Sequence, residues 1–523
     1  MPPNLPENPK IRMAEVLGAF SLATDLGMAL PFGQALRACY IAIRIARELR
    51  LATEDEAVLY YSTLLMHSGC AASSSVMAAL LHSDEMEATR DLSRRDYGNP
   101  LEIIGWLAQN VAPGEPAYLR AQYIFQAIAN APRSRREGEI GTCEVGALMA
   151  RRLGMPGGVE QTLLHLYEHW DGTGHKHLRR EQIPICARIV EPASMLEIFH
   201  ATRGRAAMEN LAAAQRGKMF APQVTDAFLS VTKDAHFWEE LTSEDLRDVV
   251  LDFEPDSPRK FIRTDEFDNV VLAFADFADA KSIATLGHAK GTAQVAEAIA
   301  QRMGLGTNEV NTIRRAALLH DLGLVAIGVN IIEKQTPLTA AEQEKMRLHP
   351  YYTERILSSV PLLRPLAPIA GAHHEWMNGA GYYRGLAEAA LPLGARILAV
   401  ADEFQDLTED YRGHPARTPE DAYKTLKPQV GTHLAAECYE ALGQVLGVAL
   451  SKSSGRRELP AGLTAREVEV LRLVAKGFTN KQTAEQLVLS EKTVGHHVEH
   501  IYNKIGISTR AAAVFFALEH NLI

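Results

Sequence analysis

The chain has 523 residues, 47% of them hydrophobic, and 64 acidic against 54 basic side chains give it a formal net charge of -10. That length carries two or three globular domains, each with its own core. It contains no run of about eighteen apolar residues, and Met1-Pro2-Pro3-Asn4-Leu5-Pro6 lacks a basic stretch followed by an apolar one, so neither a membrane span nor a secretory leader is expected and the expected location is the cytoplasm.

Strand-like alternation is scarce in the sequence. Apolar residues at helical spacing recur instead, as in Ala293, Ala296, Ile299 and Ala300, so the expected fold class is all-α. The cysteines, Cys39, Cys70, Cys143, Cys186 and Cys438, form no C-x-x-C pair, which argues against a disulfide frame or a zinc ribbon and reads as small buried residues. A first predicted domain covers 10–252. Its segments Leu64-Leu65-Met66-His67-Ser68-Gly69, Leu166-Tyr167-Glu168-His169-Trp170-Asp171-Gly172-Thr173-Gly174 and Arg188-Ile189-Val190 line up with Ala317–Leu322, with the stretch from His373 to Gly381, and with Arg396-Ile397-Leu398. The chain therefore reads as an internal repeat. Phe253-Glu254-Pro255-Asp256-Ser257-Pro258-Arg259-Lys260, charged and with two prolines, reads as the joint between the halves.

The second predicted domain covers 261–450 and holds the richest chemistry: His288, the pair His320-Asp321, His349, the pair His373-His374, and Asp402. Imidazole with carboxylate is the donor mixture that divalent iron, manganese or zinc accepts. Adjacent His-Asp and His-His pairs can feed two neighbouring ions, with Asp321 bridging, and two ions a few ångströms apart suit phosphoryl transfer. This ordered set, with His373-His374-Glu375-Trp376-Met377-Asn378-Gly379-Ala380-Gly381-Tyr382-Tyr383, resembles the HD phosphohydrolases and their HD-GYP branch over about Lys281 to Gly447. The resemblance implies that His288, His320, Asp321 and Asp402 hold one ion and that Asp321, His349, His373 and His374 hold the other. It gives Asp321 the bridging role beside a hydroxide nucleophile. It also implies two divalent ions, iron or manganese first and zinc as the alternative, and a nucleotide-like phosphorylated ligand.

Three departures from the pattern stand out. Leu324 replaces a lysine whose charge can meet a phosphate. Asn378 replaces an aspartate, and Tyr383 a proline. Ala284 stands where three-metal members carry glutamate, so two ions are expected rather than three. The first half reads as a degenerate HD-like copy, in which Ser68 replaces Asp321, Leu166-Tyr167 replace His373-His374, Ser194 replaces Asp402, and Gln34 or Ala35 replaces His288. Only His67 remains, so no metal is expected there. A sensory or dimerising module and a simple packing partner are equally open readings of it.

Ser451-Lys452-Ser453-Ser454-Gly455-Arg456-Arg457 reads as a flexible linker to a third domain at 459–523. There Thr464 to Glu467 and Thr479 to Gln482 form capping boxes, Ser490 caps a third helix, and Val494, Val498, Ile501 and Ile505 share one face. Three short helices with tight turns outline a helix-turn-helix. The stretches Leu463-Thr464-Ala465-Arg466-Glu467-Val468-Glu469-Val470-Leu471 and Ser490-Glu491-Lys492-Thr493-Val494-Gly495-His496-His497-Val498 resemble the LuxR-type DNA-binding domain. The resemblance implies that Lys492, Thr493, His496, Glu499 and His500 face the DNA groove, with Lys504 and Arg510 near phosphates. Residues 451–523 carry ten Lys/Arg against seven Asp/Glu, so one copy neutralises few phosphates and a homodimer is expected.

The expected function is a transcriptional regulator that binds double-stranded DNA and senses or hydrolyses a nucleotide-like ligand. Two alternatives stay open: a metal-dependent phosphodiesterase with the helix-turn-helix as a tether, and a receptor with structural metals and no turnover.

Overall fold

The computed structural model describes residues 11–70, 74–92, 95, 100–256, 259–409, 415–449 and 459–523. The linker read at Ser451–Arg457 lies outside the described residues. The chain is all-α. Among the described residues, strands are confined to Ile11–Arg12 and Phe261–Ile262, which pair antiparallel with Ile11 opposite Ile262. Two compact units divide the chain, Glu7–Thr264 and Asp265–Ile523.

The two-stranded ribbon closes the first unit on itself. The segment read as a joint packs there too, since the buried Glu254 accepts hydrogen bonds from Arg12 Nε and Tyr61 Oη, both at 2.8 Å. Helix Gln34–Glu48 is the axis of this unit, with nearly every side chain from Gln34 to Ala46 buried. Helices Met13–Gly27, Thr53–Leu65 and Ala187–Arg203 pack around it. In the second unit the axis is His288–Arg302, against which Thr307–Leu319, Leu393–Thr408 and Ala436–Ala449 pack. Its buried face is Ala289, Ala293, Ala296, Ile299 and Ala300, mostly small residues that let neighbouring helices come close.

The same local devices build both units. Each axial helix starts after a glycine in the left-handed region, Gly33 at φ 83° and Gly287 at φ 84°, where a Cβ would be strained. Each first turn is held by a buried aspartate: Asp25 Oδ1 accepts Ala35 N–H at 3.2 Å, and Asp279 Oδ2 accepts Ala289 N–H at 3.3 Å. Later in each unit a buried glutamate closes a loop. Glu168 accepts Lys176 N–H at 2.7 Å and Leu178 N–H at 2.9 Å, and Glu375 accepts Arg384 N–H at 2.8 Å and Leu386 N–H at 3.1 Å.

The axial helices differ in what they open with. Gln34 stands at the first position in one and His288 in the other. Gln34 Nε2 donates to Ser194 Oγ at 3.1 Å, and its Oε1 lies 3.1 Å from His67 Nε2. This centre is neutral, and burial pushes the His67 imidazole down to about 4.

That depressed value makes a stability prediction. The unfolded imidazole takes up a proton below about 6.5, whereas the folded one resists until about 4, so the His67 contribution is complete above pH 6.5 and lost as pH falls through that window. Up to about 3 kcal/mol should disappear. Chemical unfolding of the full chain should show a midpoint that drops from pH 6.5 to 4, and His67→Gln should flatten that dependence; an equally steep dependence in the variant would refute the assignment.

Candidate functional site

The seven predicted ligands all sit at helix ends or in adjoining turns, except Asp402, which lies inside helix Leu393–Thr408. His288 opens its helix, His320 and Asp321 follow Thr307–Leu319, His349 opens His349–Ser358, and His373 and His374 follow Ala367–Ala370. The turn after Asp321 presses directly on the His349 helix. A Cβ at Gly323 would meet His349 O at 2.0 Å, so only glycine fits. Thr353 locks the contact, because its Oγ1 donates to His320 O at 2.8 Å and accepts Gly323 N–H at 2.9 Å. The Gly-x-Gly-Tyr loop has a similar cause: a Cβ at Gly381 would lie 2.6 Å from His374 O and Glu375 Cα.

The tertiary structure brings all seven side chains together. Asp321 is divided between two pairs of imidazoles. Its Oδ2 lies 3.4 Å from His320 Nε2 and 3.8 Å from His288 Nε2, and its Oδ1 lies 3.2 Å from His349 Nε2 and 3.6 Å from His373 Nε2. Opposite it, Asp402 Oδ1 is 3.0 Å from His288 Nε2 and 3.2 Å from His320 Nε2, and its Oδ2 is 3.9 Å from His374 Nδ1. The ligand atoms fall into overlapping triads, among them His288-His320-Asp321 and His349-His373-His374, each within 4.8 Å. Among the described residues, every such triad lies in the second unit.

The imidazoles are aimed by their outer nitrogens. His320, His349 and His373 direct Nδ1 at the carbonyls of Ala317, Met346 and Ala370, at 2.7, 2.8 and 2.6 Å, which leaves each Nε2 as the free donor atom pointing inward. His288 Nδ1 instead faces Glu409 Oε2 at 3.0 Å and Asp406 Oδ1 at 3.6 Å. Sequence reading missed Glu409 and Asp406. The signal was there, because Asp402, Asp406 and Glu409 repeat at i, i+4 and i+7, one face of a helix.

Electrostatics couples these groups. Burial alone would lower the His320 imidazole, but the carboxylates of Asp321 and Asp402 outweigh it and push the group up to about 9. Burial likewise opposes charge on Asp321 and Asp402, yet the surrounding imidazoles hold both well below the usual carboxylate range. His374 goes the other way, held well below its ordinary value first by burial and then by His373 and His349. The donor set fits divalent cations: inward Nε2 atoms and two buried carboxylates form a concentrated negative site that positive charge must balance.

A cavity of about 200 Å³ opens onto the cluster, lined among others by Ala284, Leu324, Trp376, Tyr382 and Glu403. Leu324 thus faces the cavity where a cation could have met a phosphate. Asn378 does not line it. Its Oδ1 accepts Ala380 N–H at 2.9 Å, the same turn that Asp171 makes with Thr173 N–H at 3.0 Å. The amide therefore preserves the turn.

The C-terminal head adds one helix to the expected three. Helices Ala465–Ala475, Asn480–Leu487 and Glu491–Ile505 are followed by Arg510–Glu519, which buries Ala512, Ala513, Phe515, Phe516 and Leu518. Both capping boxes form, and Ser490 caps the third helix. Val494, Ile501 and Ile505 are buried and Val498 half-buried, while Lys492, His496, Glu499 and His500 are exposed and Thr493 is half-exposed. Lys504 and Arg510 have structural partners: Lys504 Nζ lies 2.7 Å from Glu467 Oε2, and Arg510 Nη2 donates to Phe478 O at 2.7 Å. Val488, which sequence reading passed over, is 90% exposed at φ 54° in the turn before the third helix. A β-branched residue is strained there.

Comparison with known proteins matches residues 273–437 to the HD domain family and residues 461–517 to the luxR family of bacterial regulatory proteins. The 3'3'-cGAMP-specific phosphodiesterase 3 of Vibrio cholerae is 27% identical over 83% of this chain and 95% of its own length. The cyclic di-GMP phosphodiesterase response regulator RpfG of Xanthomonas campestris is 38% identical over 28% of this chain and 40% of its own. The response regulator protein VraR of Staphylococcus aureus is 40% identical over 80 residues, 15% of this chain and 38% of its own. A crystal structure of a cyclic GMP-AMP specific phosphodiesterase of V. cholerae superposes with a TM-score of 0.60 at 24% identity, over 84% of this chain and 99% of that one, a likeness of fold.

The cluster's geometry predicts its response to substitution. Purified protein should hold about two transition ions per chain, and His320→Ala or Asp321→Ala should release most of them, whereas His67→Ala should leave metal content alone. Elemental analysis decides the matter; equal loss from the His67 and His320 variants would remove the distinction between the two centres.

Proposed function

Since residues 273–437 form an HD domain and residues 461–517 a LuxR-family domain, we propose that the protein is a cytoplasmic metal-dependent phosphodiesterase of cyclic dinucleotides joined to a DNA-binding head, so that one chain handles the nucleotide and regulates transcription. The observation that carries this reading is the division of Asp321 between two pairs of imidazoles, with Asp402 opposite. His288, His320, Asp321 and Asp402 would hold one ion and Asp321, His349, His373 and His374 the other. Bound there, such ions supply Lewis acidity toward a phosphoryl oxygen and lower the acidity constant of water. Iron or manganese suits this donor set, with zinc as the alternative.

The protein's own part is orientation. The carbonyls of Ala317, Met346 and Ala370 fix three rings, and Glu409 with Asp406 fixes the fourth. Tyr382, 4.5 Å from the His374 ring, and Trp376, stacked at 3.9 Å on His433, give the cavity aromatic walls, surfaces on which a nucleobase can stack. The long resemblance to the V. cholerae enzyme supports a cyclic dinucleotide as the ligand class.

The matching hydrogen bonds of the two units support the reading of residues 10–252 as a degenerate HD-like copy, with 261–450 as the metal-binding domain and 459–523 as the head. In the first, Gln34, Ser194 and His67 replace the charged centre with a neutral one.

A second reading, a cyclic dinucleotide receptor without turnover, is favoured by Leu324, whose side chain meets the cavity where a cation would bind phosphate. The two separate experimentally. The metal-loaded enzyme should hydrolyse cyclic GMP-AMP or cyclic di-GMP, Asp321→Asn should abolish hydrolysis, and Leu324→Lys should accelerate it roughly tenfold by adding a cation. Tight binding of the dinucleotide with no linear product would establish the receptor instead.

For the head, Lys492, Thr493, His496, Glu499 and His500 are assigned to the groove-facing side of the third helix. Lys504 and Arg510, engaged by Glu467 and Phe478, act on DNA only by positioning. Double substitution of Lys492 and His496 by Ala should abolish selective enrichment in a genomic pull-down without changing metal content or thermal unfolding. Recovery of the same fragments would reassign the head to protein contacts.

A further inference from the structure

The first unit carries a segment that the second lacks. Glu168 follows His67 by 101 residues, whereas Glu375 follows His320 by 55. The additional chain contributes helices Ser74–Leu81, Glu85–Leu92, Pro100–Asn110 and the start of the long helix Ala117–Arg152. Their inner faces make a small core around Leu81, Trp106, Leu107, Val111 and Ala127. The outer side is apolar as well. Of the thirteen large hydrophobic residues exposed among the described residues, seven lie between Val76 and Ile128, with Leu101 at 78% and Tyr118 and Phe125 at 73% each. Apolar surface concentrated in this way marks an interaction site.

The spacing identifies the occupant. On the long helix, Tyr118, Phe125 and Pro132 are seven residues apart, and Ala121 and Ile128 repeat between them; all five are exposed. Tyr123, Ile124 and Ala127 of the same turns face the core. An apolar a/d stripe of this kind receives another helix with knobs-into-holes packing. We propose that this stripe is a homodimer interface, occupied by the same helix of a second copy running antiparallel about a two-fold axis near Phe125.

Charge selects that direction. Antiparallel pairing about Phe125 sets Tyr118 against Pro132 and Ala121 against Ala129, and brings Glu115 of each copy beside Arg135 and Arg136 of the other. Parallel pairing would instead set Arg136 against Arg136 and stack the internal Arg133–Glu137 and Arg135–Glu139 pairs against their own copies. Residues 74–139 hold nine acidic and seven basic side chains, a near balance that lets the surface meet itself without net repulsion. A dimer formed here places two DNA-binding heads in one particle, and it does so whether or not the metal centre turns over.

Light scattering on the full chain tests the proposal. The unmodified protein should have twice the 57.4 kDa chain mass, and Phe125→Glu with Ile128→Glu should run at one chain mass. Both side chains are exposed, so helicity and metal content should be unchanged. Loss of the second head should weaken binding to paired half-sites by about 100-fold. As a direct check, Phe125→Cys should form an inter-copy disulfide on oxidation, since all five native cysteines are buried. A monomeric wild type, a double variant that remains dimeric, or a monomer whose stripe binds lipid vesicles instead would each overturn the proposal.

Discussion

Two carboxylates buried among imidazoles set the terms for the second unit. Asp321 and Asp402 sit where an isolated negative charge would cost several kcal/mol in lost hydration, and the imidazoles that surround them supply the compensation. The His320 imidazole, pushed up to about 9 by these carboxylates against the effect of burial, shows how strongly the site favours positive charge. The arrangement is stable only as a set, since removing one partner leaves an uncompensated buried charge.

The first unit shows the same local hydrogen bonds without that constraint. The glycine that starts the axial helix, the aspartate that holds its first turn and the glutamate that closes the loop are all kept, because they serve the backbone. The centres differ: Gln34 opens one axial helix and His288 the other. A partial replacement would strand a charge, whereas Gln34, Ser194 and His67 satisfy one another without one. This unit also carries the additional helices, whose outer face turns apolar residues to solvent.

Helicity was legible because periodicity of apolar residues reports which face is buried, and that holds locally. The fourth helix of the head, Arg510–Glu519, was overlooked although Thr509 caps it and Phe515, Phe516 and Leu518 mark its buried side. The intramolecular partners of Lys504 and Arg510 could not be read, because Glu467 and Phe478 are 37 and 32 residues away. Asn378 is the opposite case, since the turn it makes with Ala380 N–H is entirely local.

By itself the sequence determined the all-α class and the capping of the head helices, since each depends on residues within a few turns of one another, and it showed the order of the histidines and aspartates that the fold brings together. Only the tertiary structure decided which oxygen of Asp321 faces which pair of imidazoles, that Glu409 and Asp406 aim His288, and that Leu324 faces the cavity while Asn378 turns away. The same holds for the apolar stripe from Tyr118 to Pro132, since whether an apolar residue is core or surface depends on what packs over it. Such facts belong to side chains brought together from 24 to 121 residues apart, and local periodicity carries no record of that distance.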